Sequence, residues 1–480
     1  MARAKTVKTK KASPAAKAAK PKATKKAAKP VRQRRNSQGI RIRMYRQGVG
    51  DCFLLRFPRK DQTDFSIMID CGVHTSQSGG SAKIREIVQD ILDETGGHID
   101  VIVATHEHDD HISGFRQARE LFEQFTHVGE IWQAWTEDTS DPLANKIATA
   151  KGYALAALDM AHMRMKAMGL NDNGLLENLL GFYGGGSGKL LRQSTEVLLS
   201  LSDVVRYHKP GDPPIELEGM EARVFVLGPP RDEKLLKKND PSKSAPEVYG
   251  FAAYGQDAGA LTVALKPDSV PIFGHNYVIP LSVTKGVKFF ERHYWADRTE
   301  DNRSERDDRT QDWRRLNEEW QGAATSLALK LDSDTNNTSL VLAIELGPRN
   351  KGGPVLLFAA DAQVGNWLSW QNVVWEDIAG RRVTGPDLLR RTKVYKVGHH
   401  ASHNATLQKQ GLELMTALDL ALIPTDAETA TKVGWGTLPW QPLLERLEEQ
   451  AGIAVIRTDK DGAALPGIVV EDPLYYEITV

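Results

Sequence analysis

Asp100–Gly114 reads DVIVATHEHDDHISG. Val101–Ala104 is an apolar, β-branched run of the kind that forms a strand buried on both faces. Directly behind it, His106, Glu107, His108, Asp109, Asp110 and His111 crowd three imidazoles and three carboxylates together. Left unpaired, such groups cost several kcal/mol to bury, so the segment is either solvated loop or holds something. The spacing favours the second. Two apart in extended backbone, His106 and His108 project to one side. Asp110 and His111 follow at the start of a helix and aim back over the same spot. Two pairs of nitrogen and oxygen donors are the set expected for zinc or a similar divalent ion, and two pairs suit two adjacent ions.

Working outward, helical periodicity is evident from Phe115 (FRQARELFEQF), which puts the cluster on a strand-to-helix connection. In α/β layers that edge binds ligands. Upstream, RIRMYRQ, CFLLRF and SIMID read as a β-meander, with Gly48-Val49-Gly50-Asp51 as its first turn. A helix is expected over Ser81–Glu94 and a buried strand over His98–Thr105. Downstream, Pro142–Val205 is rich in helical pattern, interrupted by GFYGGGSG (Gly181–Gly188), which reads as a flexible loop. EARVFVLGPP resumes strand character, and from Arg231 to about Ser326 the chain is charged and irregular, an insertion placed to cover the active face. Alternating strands and helices return with NNTSLVLAIEL, PVLLFAADA, TKVYKVGHHASHNA, LDLALIPTDA, PWQPLLERLEEQ and IAVIRT. The βα-rich halves flanking the insertion predict two stacked sheets.

Formal charge sums to zero over 480 residues, yet it is unevenly spread. Met1–Arg35 carries 14 Lys or Arg and no acid, leaving 48 basic against 62 acidic residues in the body. The segment is low-complexity Lys/Ala/Pro and is expected to be disordered. It either binds nucleic acid by counterion release or is a solvated extension. The organisation expected is a basic tail over 1–38 and one domain over 39–480, with additions at about 140–205 and 231–326. No apolar run approaches a membrane span and no signal-peptide pattern opens the chain, so neither a membrane nor export is expected. Cys52 and Cys71 match no metal or redox spacing and read as buried thiols of a reducing cytoplasm.

His106-Glu107-His108-Asp109-Asp110-His111 resembles the HxHxDH signature of the metallo-β-lactamase-fold hydrolases. Asp361, ending the apolar run LLFAAD, and His399 and His400, ending VYKVGHH, stand where that superfamily has its bridging aspartate and last histidine. RQGVGDCFLLRF with IMIDCG, NNTSLVLAIEL and the histidine pair are most similar to the ComEC-like branch, which includes the nuclease domain of DNA-uptake proteins and a phosphorylcholine esterase. The resemblance covers about Arg41–His111, Val224–Pro230 and Asn336–Thr458. It implies a four-layer αββα sandwich and a dinuclear centre of two zinc ions, with manganese as the alternative. The ligands implied are His106, His108, Asp110, His111, Asp361 and His400. Asp110 would also hold a metal-activated hydroxide, and His399 would contact substrate. Alternation cannot choose between His399 and His400; the esterase resemblance favours His400. Asp70 is expected to orient ligand loops, His403 to face solvent, and Lys396 or arginines of the insertion to meet a substrate phosphate.

One departure matters. Many members place a further histidine ligand after the strand that here ends VFVLGPP, where Leu227 and Gly228 stand. His162, His208, His275 and His293 have no context that nominates them, so the first metal position is expected to be weak, completed by water, or filled from the insertion. The function expected is phosphodiester hydrolysis. The alternatives are hydrolysis of a lactone, amide or thioester, and a non-catalytic metal-binding scaffold for nucleic acid or protein.

Overall fold

The computed structural model describes residues 39–168, 174–185, 188–239, 241, 287–289 and 319–480. Alternation along the first strands sorts their side chains into two layers. In Cys52–Pro58, Phe53, Leu55 and Phe57 face one way and Cys52 and Leu54 the other; in Asp64–Cys71, Phe65, Ile67 and Ile69 oppose Met68 and Cys71. The first set meets Val224, Leu342, Leu356 and Val394 in a core lying between two sheets. The second set is covered by the helix Gly80–Thr95, whose Ile84, Ile87, Val88 and Ile91 recur at helical spacing. On the far side, Trp367, Trp370, Leu388 and Leu443 cover Phe225, Leu357 and Tyr395. Three apolar layers therefore separate helix, sheet, sheet and helix, the αββα architecture the motifs imply.

Eight strands form the first sheet in the order Val469–Glu471, Tyr475–Thr479, Arg41–Tyr45, Cys52–Pro58, Asp64–Cys71, His98–Ala104, His127–Ala134, Val205–His208. The second holds seven: Ala454–Arg457, Leu420–Ile423, Thr392–Lys396, Val355–Phe358, Val341–Leu346, Ala222–Gly228, Ile215–Glu216. Each sheet is antiparallel on one side and parallel on the other. The histidines and aspartates of interest follow the C-terminal ends of strands in the parallel parts, where such sheets bind ligands.

The helix after the cluster begins at Asp109, so Asp110 and His111 lie in its first turn, as expected. The strands His127–Ala134, Val469–Glu471 and Tyr475–Thr479 lie where no strand was expected. The irregular insertion does not run to Ser326: a helix spans Glu319–Asn336, burying Ala324, Ala328 and Leu331 against Leu155, Leu158 and Leu176. GFYGGGSG is no flexible loop over Gly181–Gly185, because Phe182 and Tyr183 are buried. Cys52 and Cys71 are buried free thiols, opposite one another in the register. Among the described residues no helix is long and apolar enough to cross a membrane. The basic tail, His275, His293 and most of the charged insertion lie outside the described residues.

Candidate metal centre

The strand His98–Ala104 delivers Thr105 and His106, and extended His108 then serves as N-cap of the helix Asp109–Gln117. That helix starts pressed against the end of a neighbouring strand. A Cβ on Gly72 would run into the backbone of Asp110, and Asp51 N–H donates to Asp110 O at 3.0 Å. Asp110 and His111 are thereby held under the second sheet's strand ends. Asp109 turns the other way and pairs with Arg116 at 3.2 Å.

Four donor atoms, one each from Asp110, His111, Asp361 and His400, converge within 4.8 Å of one another, and all four residues are buried. His111 Nε2 lies 3.2 Å from Asp361 Oδ2 and 3.8 Å from Asp110 Oδ2; His400 Nε2 lies 3.2 Å and 3.9 Å from Asp110 Oδ2 and Asp361 Oδ2. Around a tetrahedral zinc with bonds of ~2.0 Å, neighbouring ligand atoms stand roughly 3.3 Å apart. The histidines are anchored from behind. His111 Nδ1 meets Asp70 Oδ2 at 2.8 Å, and His400 Nδ1 donates to the carbonyl of Pro424 at 2.8 Å. A carbonyl only accepts, so Nδ1 of His400 carries a proton, and in the neutral ring the Nε2 lone pair faces inward. Asp70 also accepts from Thr105 N–H at 2.8 Å and Thr105 Oγ1 at 2.7 Å, the orienting role expected of it.

Charge at the centre has the same logic. Burial opposes a charged imidazole at His111 and His400, yet the carboxylates Asp361 and Asp110 beside both rings prevail and raise both above the usual histidine range, His111 well above it. Burial likewise opposes ionisation of Asp361, and the cations His111 and Lys396 hold it well below the ordinary carboxylate range. Buried carboxylates with lone pairs converging on one point are what a divalent cation needs, and the residues fit one.

His106 and His108 face one another as a separate pair. His106 Nε2 faces His108 Nδ1 at 3.1 Å, while His106 Nδ1 meets Thr105 Oγ1 at 3.1 Å and Ser339 Oγ at 3.4 Å. Burial pushes both rings below the usual range, His108 to about 3, so both stay neutral as ligands require. Among the described residues, no third His, Cys or carboxylate joins this pair in a closed group. Where the further histidine is absent, Asn366 occupies the space a side chain on Gly228 would fill.

His400 sits in the four-donor group, whereas the His399 ring meets Ser402 Oγ at 2.7 Å, Gln363 Nε2 at 3.4 Å and Asn336 Nδ2 at 3.3 Å, burial pushing it down to about 4. The pair could not be resolved by alternation because the strand ends at Lys396 and His399, His400 and Ala401 all adopt left-handed conformations, φ 42°, 51° and 60°. That arrangement costs free energy and recurs at functional sites. Lys396 does not await a phosphate: it is buried against Asp51 at 2.5 Å, Asp361 at 3.3 Å and Ala360 O at 2.8 Å, so it braces Asp361. His208 packs on Trp132 at the sheet edge, His162 lies on the helix Pro142–Met168, and His403 lies 6.4 Å from the Trp440 ring. Missed from sequence were Tyr183, just after the helix Leu175–Gly181, and Asp332 and Asn336 on the helix Glu319–Asn336.

A four-layer αββα sandwich carrying this cluster where its two sheets meet has the architecture of the metallo-β-lactamase fold. In agreement, the family model of the metallo-beta-lactamase superfamily matches residues 45–138, the stretch containing the HxHxDH cluster. No curated protein matches the chain.

Proposed function

We propose that this protein is a metal-dependent hydrolase acting on phosphodiester bonds. The observation that carries the reading is the convergence of Asp110, His111, Asp361 and His400 beside the His106–His108 pair. Asp110, His111, Asp361 and His400 would hold one divalent ion, zinc or manganese, and His106 and His108 a second. When bound, such ions supply Lewis acidity and a water acidic enough to attack at neutral pH. The protein's own groups do the rest. Asp110 Oδ1 is buried with no hydrogen-bond partner among the described residues, and accepts a hydrogen from the attacking water. Asp361, held by Lys396 and by His399 N–H at 3.1 Å, keeps both imidazole pairs in register. His399, neutral and at the wall of the centre, contacts the departing oxygen.

The ComEC-like motifs and the basic Met1–Arg35 segment support a phosphodiester, DNA or RNA included. The test is turnover of bis-p-nitrophenyl phosphate against a lactone and a thioester, with and without a chelator. Chelator-sensitive cleavage of the diester supports the proposal; cleavage of an acyl substrate alone, or of none, refutes it.

A further inference from the structure

Every imidazole that faces the centre has its remote nitrogen tied to something. For His111 it is Asp70, for His400 the Pro424 carbonyl, and for His106 the hydroxyls of Thr105 and Ser339. All of these partners belong to strand ends of the sandwich or the turns directly behind them. His108 differs. Its Nε2 faces the Tyr183 hydroxyl at 3.2 Å, that hydroxyl meets Thr335 Oγ1 at 3.0 Å, and Asp332 Oδ1 lies 3.7 Å from the same nitrogen. Tyr183 follows the helix Leu175–Gly181, and Asp332 and Thr335 sit on the helix Glu319–Asn336, all outside the stretch that matches the superfamily model.

Asp332 is hard to explain as scaffold. It is 7 % exposed, Oδ1 has no hydrogen-bond partner among the described residues, and its other oxygen is met by Asn336 Nδ2 at 3.3 Å. An unneutralised carboxylate in such a place is costly unless a positive charge comes to it. Ligation by Nδ1 would supply one: the His108 proton then resides on Nε2, and the ring takes on positive character facing Asp332. Metal-bound histidines usually donate their other N–H to such a partner, and losing it weakens binding by about 10–100-fold.

Resting on the dinuclear reading above, we infer that Tyr183 and Asp332 are positioning residues that fix His108 for the first metal. The Tyr183 oxygen accepts a hydrogen bond from Nε2–H and donates its own hydrogen bond to Thr335 Oγ1, while Asp332 stabilises the charge. The helices Leu175–Gly181 and Glu319–Asn336 would thus support His108 where Gly228 offers no ligand.

The experiment titrates zinc into the full-length, metal-stripped protein against a chromophoric chelator and follows cobalt loading by visible absorption, resolving a tight and a weaker class. Asp332→Asn and Tyr183→Phe should each weaken the weaker class about 10–100-fold and alter its cobalt spectrum, leave the tight class untouched, and combine less than additively. Asp332→Glu should recover part of the loss. Should Asp332→Asn fail to fold by circular dichroism, Tyr183→Phe, which removes one oxygen, carries the test. An unchanged weaker class overturns the inference alone, as does an equal fall in both classes, which would mark a scaffold role. Wild-type protein that binds no metal overturns the centre itself, and this inference with it.

Discussion

Replacing Asp70 by asparagine changes one atom and should disable the candidate ligand His111 from behind. Oδ1 of Asp70 accepts from Thr105 N–H, and Oδ2 accepts from both Thr105 Oγ1 and His111 Nδ1. Asparagine can keep its oxygen on the Thr105 amide, which has no freedom to move, only by turning its NH2 toward the other two. The threonine hydroxyl can rotate and accept; a protonated Nδ1 cannot. His111 must then carry its proton on Nε2, the atom that faces Asp361 and Asp110. A proton there blocks coordination without altering the ligand set. Loss of such an orienting carboxylate is expected to cost 10–100-fold in affinity at the four-donor position, or about 1.4–2.7 kcal/mol. Competition with a chelator measures it, and circular dichroism establishes that the variant is folded. Thr105→Val, which leaves the His111 contact in place, should shift affinity far less. If Asp70→Asn binds zinc as tightly as wild type, the tautomer argument is wrong.

Other outcomes follow from the same geometry. Asp361→Ala should bring hydrolysis below about 1 % of wild type and lower than His106→Ala, because Asp361 faces His111, His400 and Lys396 together; equal losses in steady-state assays would refute its central role. Burial opposes charge on His111 and His400 but their carboxylate neighbours raise both, so stability drawn from their protons is complete below the unfolded histidine value of about 6.5 and lost as pH rises through the raised values. The melting temperature of the metal-stripped protein should fall over that window, and zinc binding at pH 7 should release about one to two protons, read by calorimetry in buffers of differing ionisation enthalpy. Removing Met1–Arg35 should leave diester hydrolysis unchanged while weakening oligonucleotide binding and flattening its salt dependence; identical affinities and slopes would make the segment a bystander.

What could be read from the sequence was local. Strand alternation at Cys52–Pro58 and Asp64–Cys71 is carried by neighbouring residues, and so is the HxHxDH spacing, since one strand end and one helical turn bring its four donors together. Asp361 was legible through the resemblance, which implies a carboxylate at the end of that apolar run. His399 and His400 were not separable, because three left-handed residues break the period on which that reading depends. His127–Ala134 escaped because Gly129 and Glu130 interrupt its apolar pattern. Asp332 and Tyr183 are further away in kind. Ala324, Ala328, Leu331 and Thr335 do follow helical spacing, but the charged stretch before them hides where that spacing starts, and only the folded chain sets it beside His108.

Gly228 limits which substitutions are open to this protein. Asn366 fills the space beside it, and its side chain is committed three times over: its Nδ2 donates to Asn337 O at 3.2 Å and Ser339 O at 3.1 Å, and its Oδ1 accepts from the indole N–H of Trp370 at 2.9 Å. Installing histidine at position 228 would collide with that side chain, and trimming Asn366 first would strand an indole and two carbonyls before any ligand was gained. Each first step descends, so a histidine at position 228 takes more than one substitution to install.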